Sequence, residues 1–131
     1  MRQKHVLDLE SAKRVAAAAE QEAEKNGWNV AIAIVDDGGH LVYLQRDNVQ
    51  LGSIDVAINK AKAALIFRRP TRFWQDMISG ERPEYLAMPG ILPVEGGLPL
   101  FYGNEVVGGI GVSGVKSNQD GIIARAGVDA L

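Results

Sequence analysis

Four stretches of this chain carry residue types at spacings that can do chemistry. Glu95-Gly96-Gly97 lies in a proline-bounded segment, Pro93 to Pro99. Successive glycines can turn backbone N–H groups toward an anion such as a carboxylate. A neighbouring glutamate becomes an acid or base if burial lifts its pKa toward neutrality. The same residues also describe a tight turn beside a solvated glutamate. A basic segment follows the same logic: Lys60, Lys62, Arg68, Arg69 and Arg72 occur between Val56 and Gln75 with no acidic residue among them. Arginine can grip a carboxylate bidentately. Lys60 and Arg72 read instead as solvated helix-face charges. Arg46-Asp47 closes a strand, where it can reach over a pocket rim or pair locally, Arg46 with Asp47 or Asp36. His5 and His40 lack metal-ligand spacing and read as incidental, although either imidazole is able to hold a haem iron or a metal. Tyr43, Tyr85, Tyr102 and Met88 are alternative haem contacts or core, and Ser113, at the end of a glycine-rich strand, can touch a ligand without being a nucleophile in a strained elbow.

The elements that must position these groups follow from periodicity. Asp8 to Asn26 carries Leu9, Ala12, Ala16, Ala19 and Ala23 at helical spacing and stops at Asn26-Gly27. Asn29 to Val35 is apolar on both faces, the pattern of a central, doubly covered strand. Asp36-Asp37-Gly38-Gly39 is a turn, and His40 to Arg46 returns, with Val42, Leu44 and Arg46 on one side. Ser53 is the expected cap of a helix to about Arg68, and Pro70 breaks it. Thr71 is the expected cap of a short helix ending near Ser79-Gly80. Four of the five prolines then fall in an irregular, apolar loop, 83 to 99. A second hairpin turns at Gly103-Asn104, and its last strand contains Gly108, Gly109 and Gly111. These glycines suggest a close approach to the alanine-faced first helix. Ser117-x-x-Asp120 outlines a capping box for the last helix. Two hairpins and flanking helices make one mainly antiparallel sheet, an α+β domain over residues 1–131.

Composition removes several functions. The 131 residues are 47% hydrophobic and 23% charged, with net charge -2 and no cysteine. Thiolate metal sites, disulfides and cysteine nucleophiles are excluded. No basic field of the kind that binds nucleic acid exists. The longest apolar run, Val30 to Val35, is far below the roughly 20 residues of a membrane span. No signal-type stretch follows Met1-Arg2-Gln3-Lys4-His5, so a cytoplasmic location is expected. Gly109-Ile110-Gly111-Val112-Ser113-Gly114 fits G-x-G-x-x-G in letters only, because most of it lies inside a strand rather than in the turn of a βαβ unit.

In order along the chain, Val35-Asp36-Asp37-Gly38-Gly39-His40-Leu41-Val42, Ala57 to Ala64, Pro93-Val94-Glu95-Gly96-Gly97-Leu98-Pro99-Leu100, Val107 to Gly114 and Ala124-Arg125-Ala126-Gly127 resemble the GlcG/HbpS-like, haem-degrading family. The resemblance runs from about Leu7 onward. It implies a profilin-like α-β-α sandwich with a five-stranded antiparallel sheet, assembling as a homo-oligomer. It implies haem as a cofactor or a small anionic organic molecule as ligand, and accessory roles in catabolism of aromatic compounds. The expected function is an auxiliary enzyme acting on a small carboxylate or ring-cleavage intermediate of a catabolic pathway by proton transfer, tautomerisation or hydrolysis, with Glu95 or Lys62 catalytic. Arg46, Asp36, Arg69, Gly96, Gly97, Tyr102 and Ser113 would bind the ligand. The alternatives are a haem-binding or haem-sensing module, or an oligomeric scaffold.

Overall fold

The computed structural model describes all 131 residues. Helix α1 spans Leu9–Lys25, and Asp8 caps it by accepting the Ser11 N–H at 2.9 Å. Strands β1 (Ala31–Asp36) and β2 (Leu41–Arg46) form the first hairpin. Helices α2 (Gly52–Phe67) and α3 (Thr71–Ser79) follow, then a 3-10 helix at Pro83–Ala87. Strands β3 (Gly97–Tyr102) and β4 (Glu105–Ser113) make the second hairpin, and α4 (Ser117–Val128) ends the fold.

The sheet is antiparallel in the order β2-β1-β4-β3, four strands rather than the expected five. The proline-rich segment supplies no fifth strand. Pro83, Pro89 and Pro93 have no N–H to give a ladder, and the chain crosses there as a 3-10 turn and an irregular strap. β1 and β4 are central, and five of the six β1 residues are buried, as their apolar run on both faces requires.

Alternation divides the strands between two helical layers. Ile32, Ile34, Leu98, Leu100, Ile110 and Val112 pack against Ala12, Val15, Ala16 and Ala19 of α1 and Ile123 of α4. Ala31, Ala33 and Val35 face α2 through Ala57, Ala61 and Leu65. Gly109 and Gly111 serve the second layer, not α1 as expected, whereas Gly108 lies against the Val35 carbonyl and Leu7: a Cβ on Gly111 would overlap the Ala57 carbonyl and lie 2.6 Å from the Ala61 nitrogen. Backbone meets backbone there. α1 makes its own close approach to α4, where a Cβ on Gly127 would lie 3.1 Å from the Val15 carbonyl.

Three further expectations are corrected. Ser53 does not cap α2; it is buried in the first turn with its hydroxyl unpaired, and Leu51 precedes the helix without a side-chain cap. Thr71 does not cap α3, because its hydroxyl faces the Gly97 backbone. A bulge opposite Ile34 and Val35 places Val42 with the α1-side core, whereas Leu44 packs on the α2 side.

Candidate functional site

The loop before β3 is built on a buried ion pair. Lys60, in the middle of α2, is 1% exposed, and Asp120, in the first turn of α4, 2%. The Lys60 ammonium donates to Asp120 Oδ2 at 3.1 Å and to the Val112 carbonyl at 2.9 Å. Asp120 Oδ1 accepts the Val115 N–H at 3.2 Å. Burial raises the Asp120 carboxyl above its ordinary range; the Lys60 charge and the Val115 N–H oppose that rise. Both side chains were read differently from sequence, Lys60 as a solvated charge and Asp120 as a capping-box acid. Their partners lie 60 residues apart, and no local pattern signals such a pair.

Gly96 lies directly on this pair. Its φ is +131°, and a Cβ there would stand 2.7 Å from the Lys60 ammonium. The Gly96 carbonyl accepts the Val112 N–H at 2.9 Å. Gly97 N–H donates to the Thr71 hydroxyl at 2.9 Å, and Glu95 N–H to Gln75 Oε1 at 2.8 Å. The loop is therefore held at three consecutive residues, and the Gly97 amide already has a partner. The Glu95 side chain rests on Gly121 of α4, where a Cβ would come within 3.0 Å of its Cγ. A glycine inside a helix is unfavourable by roughly 1 kcal/mol, and here it makes room for that carboxylate.

Glu95, Gly96 and Gly97 open on a cleft of about 480 Å³ between the α3 N-terminus and α4, with Arg72 and Arg125 in its wall. The remaining residues singled out in the sequence lie elsewhere. Arg46 and Asp47 border a hollow of about 240 Å³ beside Trp28. Tyr102 stacks on His5 at 4.4 Å, and His5 Nδ1 is 2.7 Å from Glu105. Ser113 is buried opposite Ala31. Arg69 lies over the Phe73 ring at 4.3 Å. Asp36 ties the β1–β2 turn by accepting the Gly38 and His40 N–H groups, each at 2.9 Å.

Lys62 shares no wall with Glu95. It lines a second hollow, of about 530 Å³, where the β1–β2 turn meets α2 and residues 90–92. His40, Asn59, Ile66, Ile91 and Leu92 complete that hollow. His40 Nδ1 lies 3.6 Å from Asp36 Oδ1, and the imidazole is 85% exposed. His40 reads as incidental from spacing alone, because its neighbours in space come from α2 and from the loop after the 3-10 helix.

The family model described as "Haem degrading protein HbpS-like" matches residues 7–129. The chain belongs to the HbpS-like family. Protein GlcG of Escherichia coli K12 is 35% identical over 114 residues, 86% of this chain and 85% of that protein. A double mutant of HbpS from Streptomyces reticuli has a similar crystal structure, with a TM-score of 0.90 and 34% identity over 100% of this chain and 90% of that one. Protein ORFY of Klebsiella pneumoniae superposes with a TM-score of 0.87 at 30% identity, covering 99% and 93% of the two chains. Within this HbpS-like chain no three His, Asp or Glu side chains gather as a metal site, and no helix is long and apolar enough to cross a membrane.

Proposed function

We propose that this HbpS-like protein binds haem in the hollow lined by His40 and Lys62. The observation that carries the reading is the convergence, around about 530 Å³, of an imidazole, an ammonium and the aliphatic side chains of Ile66, Ile91 and Leu92. That volume falls within the range of small-molecule sites. The donor set fits the group: imidazole for iron, a cation for a propionate and apolar surface for the ring. The other two places fit less well. His5 has Nδ1 engaged by Glu105 and borders only about 170 Å³. The Glu95 cleft has no imidazole, phenol or thioether in its wall.

The roles follow from the surroundings of each side chain. Asp36, fixed by two backbone N–H groups, faces His40 Nδ1 and favours the proton on that nitrogen, which leaves Nε2 for the iron. Lys62 would meet a propionate as a point charge, and the aliphatic residues would keep water from the ring face. Bound haem would supply an iron whose redox and small-ligand chemistry depends on its axial ligand and exposure. The family description supports this reading.

The Glu95 cleft supports a second reading, proton transfer on a small carboxylate. Arg125 shares that cleft with Glu95, so a substrate carboxylate could rest on the guanidinium beside the Glu95 carboxyl.

Haemin titration followed in the Soret region tests the main reading, with albumin and free haem as references. Wild type should give a saturable, shifted band at one haem per chain. His40→Ala, with unchanged circular dichroism, should bind at least tenfold more weakly, about 1.4 kcal/mol. Full affinity and an unchanged band in that variant would remove His40 as ligand; a wild-type titration matching non-specific binding would remove haem.

A further inference from the structure

The aromatic residues of α3 build a third concavity that the haem hollow and the Glu95 cleft leave unused. α2 ends with Arg68 in the left-handed conformation, φ 53°, the one non-glycine residue of the chain with positive φ. Arg69 follows immediately before Pro70, its guanidinium over Phe73. Phe73, Trp74 and Met77 of α3, Tyr85 of the 3-10 helix, Met88 and Arg69 surround about 230 Å³. Trp74 is edge-on to Phe73 at 4.9 Å and to Tyr85 at 5.7 Å between centroids.

Trp74 is 7% exposed and its indole nitrogen is shut off from solvent, so its ring gives the box a wall rather than a donor. The feature of this box that points to a ligand is charge. Arg72 pairs with Asp76 and Arg82 with Glu84, each at 3.6 Å, whereas Arg69 has no carboxylate partner. The box thus combines aromatic and thioether walls with one uncompensated guanidinium. We propose that it binds a single-ring aromatic carboxylate, the ring between the aromatic and methionine side chains and the carboxylate on Arg69.

The test uses benzoate, with cyclohexanecarboxylate and benzyl alcohol as probes lacking the aromatic ring and the charge. Benzoate should saturably change the fluorescence of Trp28→Phe protein, in which Trp74 is the sole tryptophan. In ¹⁵N-labelled wild type it should move one of the two indole N–H resonances, which keeps the test independent of how well that variant folds. Both other probes should bind at least tenfold more weakly, and Arg69→Gln should weaken benzoate at least tenfold with an unchanged melting midpoint. Absence of a saturable response to benzoate, equal affinity for benzyl alcohol, or full affinity in Arg69→Gln would each overturn the proposal.

Discussion

At the scale of single residues, the Lys60–Asp120 pair decides most. It is fully enclosed, and Gly96 of the cleft loop lies on the Lys60 ammonium. Removing one partner leaves the other charge buried and uncompensated. Asp120→Ala should therefore destabilise the fold by about 3–5 kcal/mol, read from urea unfolding. The pH dependence has a definite sign. Asp120 has a raised carboxyl pKa in the folded state, so between its ordinary value of 3.8 and the folded one the native chain holds more protons than the unfolded chain. Its contribution to stability is then largest at the acid end and declines as pH rises through that window. The stability difference between wild type and Asp120→Asn should accordingly fall from about pH 4 upward. A difference that grows instead would mean that Lys60 outweighs burial.

At the scale of elements, the contact between α2 and β4 depends on the absence of side chains at Gly109 and Gly111. The atoms that a Cβ on Gly111 would meet are backbone atoms of α2, which cannot swing aside as a side-chain end can. Gly111→Ala should push α2 off the sheet, and with it Lys60 and Lys62. We expect a loss of about 3 kcal/mol, at the upper end for overpacking, with the urea m-value unchanged. A neutral substitution would show that this layer is not closely packed. The glycines were visible in the sequence as a close approach, but the partner was not. An alanine face occurs on α1 and again on α2 at Ala57, Ala61 and Ala64, and strand alternation alone does not say which helix covers which side of the sheet.

At the scale of the whole molecule, the fold separates rather than gathers the residues that looked chemical. Glu95 and Lys62 line different concavities, so no single site uses both. Changes in the two places should be independent, as expected for sites that share no partner. Glu95→Gln should leave haemin affinity within about twofold of wild type in the Soret titration, whereas Lys62→Ala should weaken it. A tenfold loss in Glu95→Gln would join the two places.

Local chemistry by itself determined the elements. Asp8 and Asn26-Gly27 bound α1, the Asp36-to-Gly39 turn fixes the first hairpin, Pro70 divides α2 from α3, and Gly103-Asn104 sets the second hairpin. Each rests on backbone preferences or periodicity within a few residues, which a sequence displays directly. The ordered motifs also carried the family. Only the tertiary structure decided that the sheet stops at four strands, that Lys60 and Asp120 are buried together, and that His40 shares a hollow with Lys62 while Glu95 does not. Those outcomes depend on which helix lies over which face and on partners many residues apart. The free energy of burying a charge against a distant partner leaves no mark on the residues next to it in the chain.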